Sequence, residues 1–236
     1  MTVVIKIGGA RAVDPKGAIA DVASLVKGES GQQIDPKSGA GPHDVVVTHG
    51  GSTAVDDTLE RLGIDPEYVE TPDGVVGRFT DSETMEVFEM VMPGLLNTDL
   101  VAGLQSRGVD AVGLSGVDGQ LLAGPRTSAV RVVEDGKRKI RRGDHSGSLR
   151  EVNADLLETL LADGYTPVIS PPMAGRDEEA VLAVNTDADR AAAAVAGALD
   201  ATLVLLTDVP GVLADPADPD TLIQSVETPD DWEGME

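Results

Sequence analysis

Cysteine is absent from the 236-residue chain, which excludes disulfides, thiolate catalysis and cysteine metal sites at once. Cations are scarce: 18 Lys and Arg stand against 41 Asp and Glu, for a formal net charge of -23. A field of that sign argues against nucleic acid or an anionic membrane as partner. It fits a protein of a halophile, because molar salt screens self-repulsion over a few Å while carboxylates keep the surface hydrated. The histidines His43, His49 and His145 lie far apart with no ligand spacing, so no metal site is expected. No stretch reads as long enough to span a bilayer, and the start lacks the basic-then-apolar pattern of a secretory leader. These absences imply a cytoplasmic protein, large enough to bury a substantial core in one α/β domain or two small lobes.

What the chain has instead is apolar runs that end on glycine. In VVIKIGGA, Lys6 interrupts Val3, Val4, Ile5 and Ile7, a run that reads as a strand buried on both faces, where an unpaired charge is costly. Gly8 and Gly9 follow where a parallel strand hands over to a helix, and such a turn leaves backbone N–H groups open to an anion. THGGST (48–53) and LSGVDG (114–119) repeat the theme, and LLTDVPGV (205–212) is a related turn. Several such turns at strand carboxyl ends point to one ligand-binding edge. None is a Walker A loop or the dinucleotide pattern GxGxxG.

Apolar runs alternating with amphipathic segments predict βαβ units and a mainly parallel sheet. Strands are expected near 2–8, 44–51, 110–116, 166–171 and 201–213. Helices are expected from Asp14-Pro15 onward and over 52–62, 82–92, 95–107, 153–164 and 187–199. A short strand pair turns at Pro72-Asp73-Gly74, and further short strands fall around 120–141. Residues 28–43, rich in Gly, Ser and Pro, read as an inserted surface loop. Met85, Phe88, Met90 and Met92 form a stripe suited to core or subunit interface. The acidic DPADPD and ETPDDWEGME do not follow an EF-hand spacing and read as surface turns.

The motifs together resemble the amino acid kinases, within them the acetylglutamate kinase branch: KIGG (6–9), THGG (48–51), GRFTD (77–81), LSGVDGQLL (114–122), VNTDADRAA (184–192) and LLTDVPGVL (205–213). The resemblance implies a three-layer α/β/α sandwich with an N-terminal acyl-substrate lobe (1–152) and a C-terminal ATP lobe (153–236). It implies phosphorylation, by ATP with Mg2+, of the side-chain carboxylate of an amino-blocked glutamate-like substrate. Lys6 would neutralise the transferring phosphoryl group. Gly8, Gly9, Gly50 and Gly51 would donate N–H bonds to phosphate and to the attacking carboxylate. Arg78 would grip the substrate's α-carboxylate in a bidentate fork, and Asn185 its backbone portion. Asp189 would orient catalytic lysines, and Thr207, Asp208 and Gly211 would form the nucleotide-side turn. Thr48 and Ser52 depart from the usual pattern, in which a third glycine follows the pair.

Two substrate branches compete within the resemblance. One uses N-acetylglutamate; the other, LysZ-like, uses glutamate or 2-aminoadipate linked to the small acidic carrier protein LysW, in arginine and lysine biosynthesis. Phe79 after Arg78 favours the carrier branch. So does the basic run GKRKIRRGDHSG, where Lys137, Arg138, Lys139, Arg141 and Arg142 would dock an acidic carrier. Family members continue through a segment bearing a second lysine, so the sequence is expected to be truncated; a non-catalytic ligand-binding relative is the alternative from another class. The Met-rich helix resembles the family's homodimer surface.

Overall fold

The computed structural model describes residues 1–9, 14–28, 44–134, 136–178, 180–207, 211–214 and 218–225. His43, Asp208 and all but the first residue of the expected 28–43 loop lie outside these. In chain order the elements are β1 Thr2–Ile7, α1 Pro15–Lys27, β2 Asp44–His49, α2 Ser52–Leu62, β3 Tyr68–Glu70, β4 Val76–Arg78, α3 Ser82–Glu89, a π-helical segment Met90–Leu96, and α4 Asn97–Gln105. They continue with β5 Ala111–Gly116, β6 Leu122–Glu134, β7 Lys137–Gly147, β8 Glu151–Val152, α5 Ala154–Ala162, β9 Thr166–Arg176, β10 Val181–Val184, α6 Ala188–Ala198 and β11 Thr202–Leu206.

One nine-stranded sheet organises the chain, in the order β11-β1-β2-β9-β6-β7 with β5 and β10 also on β9 and β8 on β6. The pairs of β1 with β2 and β11, and of β9 with β2, β5 and β6, are parallel. Strand β9 thus sits between strands from before residue 152, and a single sheet serves both expected lobes.

The period of two along β1 sorts its side chains. Val3, Ile5 and Ile7 pack with Ile19 and Val22 of α1 and with Leu100 and Leu104 of α4. Val4 faces the opposite layer, with Leu157 of α5 and Ala191 and Val195 of α6. Lys6 therefore projects on the α6 side. A slip by one residue would drive the ammonium among the leucines of α4 and expose side chains each worth roughly 2 kcal/mol when buried, so the register is firmly set.

Three expectations change. The strands around 120–141 are not short: β6 and β7 run 13 and 11 residues as an antiparallel hairpin. Strand β10 was not foreseen; its VLAV run is too brief to signal by pattern. The helices at 82–92 and 95–107 form one run, because the π-helical segment carries Pro93 inside it, where altered bonding accommodates the missing N–H.

That run, Ser82–Gln105, has 24 residues and is long and apolar enough to cross a membrane by length and composition alone. Its apolar side is committed to protein. Met85, Phe88, Val91 and Met92 pack with Val55 and Leu59 of α2, while Met90 and Leu95 remain about half exposed. The methionine stripe is therefore mainly core.

Candidate active site

The carboxyl ends of β1, β2 and β11 come together at the glycine turns. Gly8 N–H donates to Leu206 O at 2.8 Å and Gly50 N–H to Ile7 O at 3.0 Å, so each strand's last bond ties its turn to the next. These two N–H groups are spent on the sheet, against the expectation that they meet phosphate. The turns also touch each other: a Cβ on Gly9 would come within 2.2 Å of Gly51 N, a backbone approach only glycine allows. Gly9 and Gly51 N–H carry no hydrogen bond among the described residues. They, not Gly8 and Gly50, are the available donors.

A cavity of about 470 Å³ opens at this edge, and Lys6, Gly9, Gly50, Gly51, Arg78, Asn185 and Asp189 all line it. Seven predicted site residues from four separate motifs thus converge. Lys6 is buried, and its Nζ lies 2.9 Å from Asp189 Oδ1. The pairing follows from the fold: Lys6 projects on the α6 side, and α6 opens with Asp187 as cap and Asp189 in its first turn, where a carboxylate also complements the helix dipole. The buried charge of Lys6 thus has a carboxylate partner inside the chain. Thr48, the register partner of Lys6, holds a buried hydroxyl without a partner among the described residues.

Arg78 enters from β4 with its side chain only 7% exposed. Its Nη2 donates to Asp56 Oδ1 at 2.6 Å and to Ser52 O at 2.9 Å. Both bidentate edges of the guanidinium, Nη1 with Nη2 and Nε with Nη2, use Nη2, so the expected fork is partly filled by Asp56. The Nε is buried without a partner among the described residues. Tyr68 completes this corner, donating its hydroxyl to Asp56 Oδ2 at 2.7 Å; burial and that bond raise its phenol pKa. Ser52, the departure from a third glycine, starts α2 and contributes only its carbonyl to Arg78.

Asn185 Nδ2 donates to Thr80 Oγ1 at 3.1 Å. Thr80 is in turn fixed by Asp144, whose Oδ1 accepts from Thr80 N at 3.1 Å and whose Oδ2 accepts from the Ser146 hydroxyl. Asp144, Thr80, Asp56 and Tyr68 were missed by sequence reasoning. Of the nucleotide-side turn, Thr207 and Gly211 do not line this cavity; Thr207 follows β11 on the same sheet edge as Gly8. Phe79 is also outside it, buried beneath Arg141, whose guanidinium carbon lies 4.5 Å from the ring centroid.

The basic run divides on β7. Arg141 pairs with Glu67 at 2.7 Å, and Lys139 with Glu134 at 2.7 Å; Lys139 and then Arg141 hold the Glu134 carboxyl below its usual range. The strand register puts Arg138, Ile140 and Arg142 on one face with Arg131 of β6, all exposed. Two of the five predicted docking cations are therefore internally committed.

The glycine-lined edge of a mainly parallel α/β sheet gathers Lys6, Arg78, Asp187 and Asp189 around one cavity, and the two cations can attract an anionic small molecule. The Amino acid kinase family model matches residues 1–233. Similar proteins include a LysW-aminoadipate kinase of Deinococcus radiodurans, 42% identical over 95% of this chain and 72% of that one. A LysW-aminoadipate kinase of Thermus thermophilus is 41% identical over 95% and 78%. An acetylglutamate kinase of Methanopyrus kandleri is 48% identical over 82% and 73%. Among solved structures, smu.665 from Streptococcus mutans superposes with a TM-score of 0.63 at 22% identity, over 90% of this chain and 74% of that one. An isopentenyl phosphate kinase gives 0.56 at 16%, over 100% and 84%; these two speak to the fold. The chain belongs to the amino acid kinase family.

Proposed function

We propose that the protein is a carboxylate kinase that transfers the γ-phosphoryl group of ATP to the side-chain carboxylate of LysW-linked 2-aminoadipate or glutamate. The observation that carries this reading is the convergence of Lys6, Asp189, Gly9, Gly51, Arg78 and Asn185 on one cavity. In-line phosphoryl transfer needs positioning and charge compensation and no covalent intermediate. Lys6, held by Asp189, offsets charge on the transferring group. The N–H groups of Gly9 and Gly51 bind its oxygens or those of the attacking carboxylate. Arg78, aligned by Asp56, attracts the substrate's α-carboxylate, and Asn185 orients the neighbouring amide.

Among the described residues no three His, Asp or Glu side chains gather to hold a metal. Mg2+ would come with the nucleotide phosphates and would screen their charge. The C-terminal lobe (153–236), with Thr207, Asp208 and Gly211, takes the nucleotide; residues 1–152 take the acyl substrate.

The carrier-linked substrate is preferred over N-acetylglutamate because the relatives matched over 95% of the chain are LysW-aminoadipate kinases. An acidic carrier also finds exposed Lys137, Arg138 and Arg142 in a chain otherwise strongly negative. The reading includes a place in arginine and lysine biosynthesis, a halophilic cytoplasm, and a homodimer formed on the exposed Met90 and Leu95 side of the long helix. ADP release in high salt, with carrier-linked aminoadipate, carrier-linked glutamate and N-acetylglutamate offered separately, tests it. Turnover of the acetylated compound alone would reassign the substrate, and turnover of none would favour a ligand-binding relative.

A further inference from the structure

Beneath the Gly50-Gly51 turn lies a buried polar chain that the catalytic reading does not use. Asn97 Nδ2 donates to Val168 O at 2.9 Å and approaches His49 Nε2 at 3.3 Å. On the other side of the ring, His49 Nδ1 lies 3.1 Å from Gly50 O. His49 is 2% and Asn97 4% exposed. Gly113 makes room for them, since a Cβ there would come within 2.2 Å of Asn97 Oδ1.

The donors and acceptors fix the direction of this chain. Val168 O can only accept, so the Asn97 amide presents its nitrogen, whose two hydrogens serve Val168 O and His49 Nε2. Nε2 is then an acceptor. Gly50 O is also an acceptor, so Nδ1 carries the proton. The only arrangement that satisfies every group is a neutral His49 protonated on Nδ1.

Holding Gly50 O has a consequence one bond away. In a trans peptide the carbonyl and the following N–H point in opposite directions, so anchoring Gly50 O on the His49 side turns Gly51 N–H to the other. His49 borders a second, smaller cavity of about 210 Å³; Gly9, Gly50 and Gly51 line both that cavity and the Lys6 cavity, as a wall between them, with Gly51 N facing Gly9. A Gly-Gly peptide without this anchor would flip readily, because neither residue restricts its backbone.

We infer that His49, set in its Nδ1–H tautomer by Asn97, is a positioning residue that locks the Gly50-Gly51 peptide so that Gly51 N–H stays aimed into the phosphoryl-transfer cavity. This rests on the kinase reading for its role, while the tautomer does not. Two measurements test it on the full chain. A long-range 1H–15N spectrum at neutral pH, assigned by loss of the signal in His49→Asn, should show His49 neutral with the proton on Nδ1; an Nε2–H tautomer or an imidazolium would overturn the inference even if no kinase activity were found. In steady-state ADP release, His49→Gln, whose amide mimics Nε2, should lower kcat about tenfold to a hundredfold with little change in KM for ATP, below the roughly hundredfold to thousandfold cost of removing a preorganised donor outright, because the donor stays but is misaimed. His49→Asn, whose amide nitrogen sits near Nδ1, should restore most of that loss. Equal losses in the two variants, tracking their melting temperatures, would mean that His49 only fills space.

Discussion

Lys6 Nζ stands 2.9 Å from Asp189 Oδ1, with the lysine side chain 10% and the aspartate 59% exposed. The buried cation is thus held at the cavity edge by a carboxylate that a ligand can reach. Lys6→Ala is expected to lower kcat about a hundredfold or more while leaving KM for the carboxylate substrate nearly unchanged, the effect of removing a group that acts on transition-state charge. Asp189→Asn should lower kcat less, because the lysine remains but is less firmly aimed. Steady-state ADP release measures both.

Arg78 should behave differently. Its guanidinium is anchored by Asp56 and Ser52 O, a planar arrangement that a lysine ammonium cannot reproduce. Arg78→Lys is expected to raise KM for the acyl substrate roughly thirtyfold, the loss of about 2 kcal/mol from a charged hydrogen bond, with a small change in kcat. A fall in kcat at constant KM would remove Arg78 from the substrate grip.

The glycine turns give a paired stability test. Gly9→Ala places a methyl 2.2 Å from the Gly51 backbone nitrogen, which cannot move without breaking the sheet bonds of Gly50, so both melting temperature and activity should fall. Gly197→Ala in α6 meets nothing within 4 Å and should raise stability by about 0.5–1 kcal/mol through helix propensity. Chemical denaturation of the two variants distinguishes a glycine required by close approach from one that is not.

Stability should also report the burial of His49. Burial lowers its pKa from 6.5 to about 4, partly opposed by the bond to Gly50 O. Above pH 6.5 both folded and unfolded forms are neutral, so nothing is lost. Between pH 6.5 and 4 the unfolded chain binds a proton that the folded one refuses, so stability declines as the pH falls, by about 3 kcal/mol in all, and levels off below. Denaturation midpoints of wild type and His49→Asn at pH 7 and pH 5 check this: the wild type should lose more over the interval, and parallel losses would contradict it.

The glycine-terminated strands, the helix opening at Asp14-Pro15 and the Lys6 anomaly were legible because each is encoded within a few neighbouring residues. What escaped notice joins distant positions. Asp56 meets Arg78 across 22 residues, Asn97 meets His49 across 48, and Asp144 meets Thr80 across 64. Asp144 was visible only as part of a basic run, and nothing beside it indicated that it would be buried. Gly8 and Gly50 looked equivalent to Gly9 and Gly51 in sequence; only strand pairing shows which N–H groups the sheet consumes. Pro93 resembled a helix stop because proline usually is one, and the π-helical bonding that absorbs it has no sequence pattern of its own.

The exposed face of β7 carries a further expectation. Arg138→Glu with Arg142→Glu should raise KM for a carrier-linked substrate several-fold at low salt and flatten or invert its dependence on salt, leaving KM for ATP alone, since charge reversal replaces a screened attraction to an acidic partner by a screened repulsion. Titration of the carrier-linked substrate at two ionic strengths would show it, and an unchanged KM would place docking elsewhere.

The most direct test of the central claim traps the product. An acyl phosphate reacts with hydroxylamine to give a hydroxamate, so the protein is incubated with MgATP, hydroxylamine and carrier-linked aminoadipate or glutamate, and the carrier is analysed by mass spectrometry. The expected result is a hydroxamate on the side-chain carboxylate, dependent on ATP and lost in Lys6→Ala. ATP-dependent hydroxamate on free N-acetylglutamate and none on the carrier, or none on either, would contradict the account.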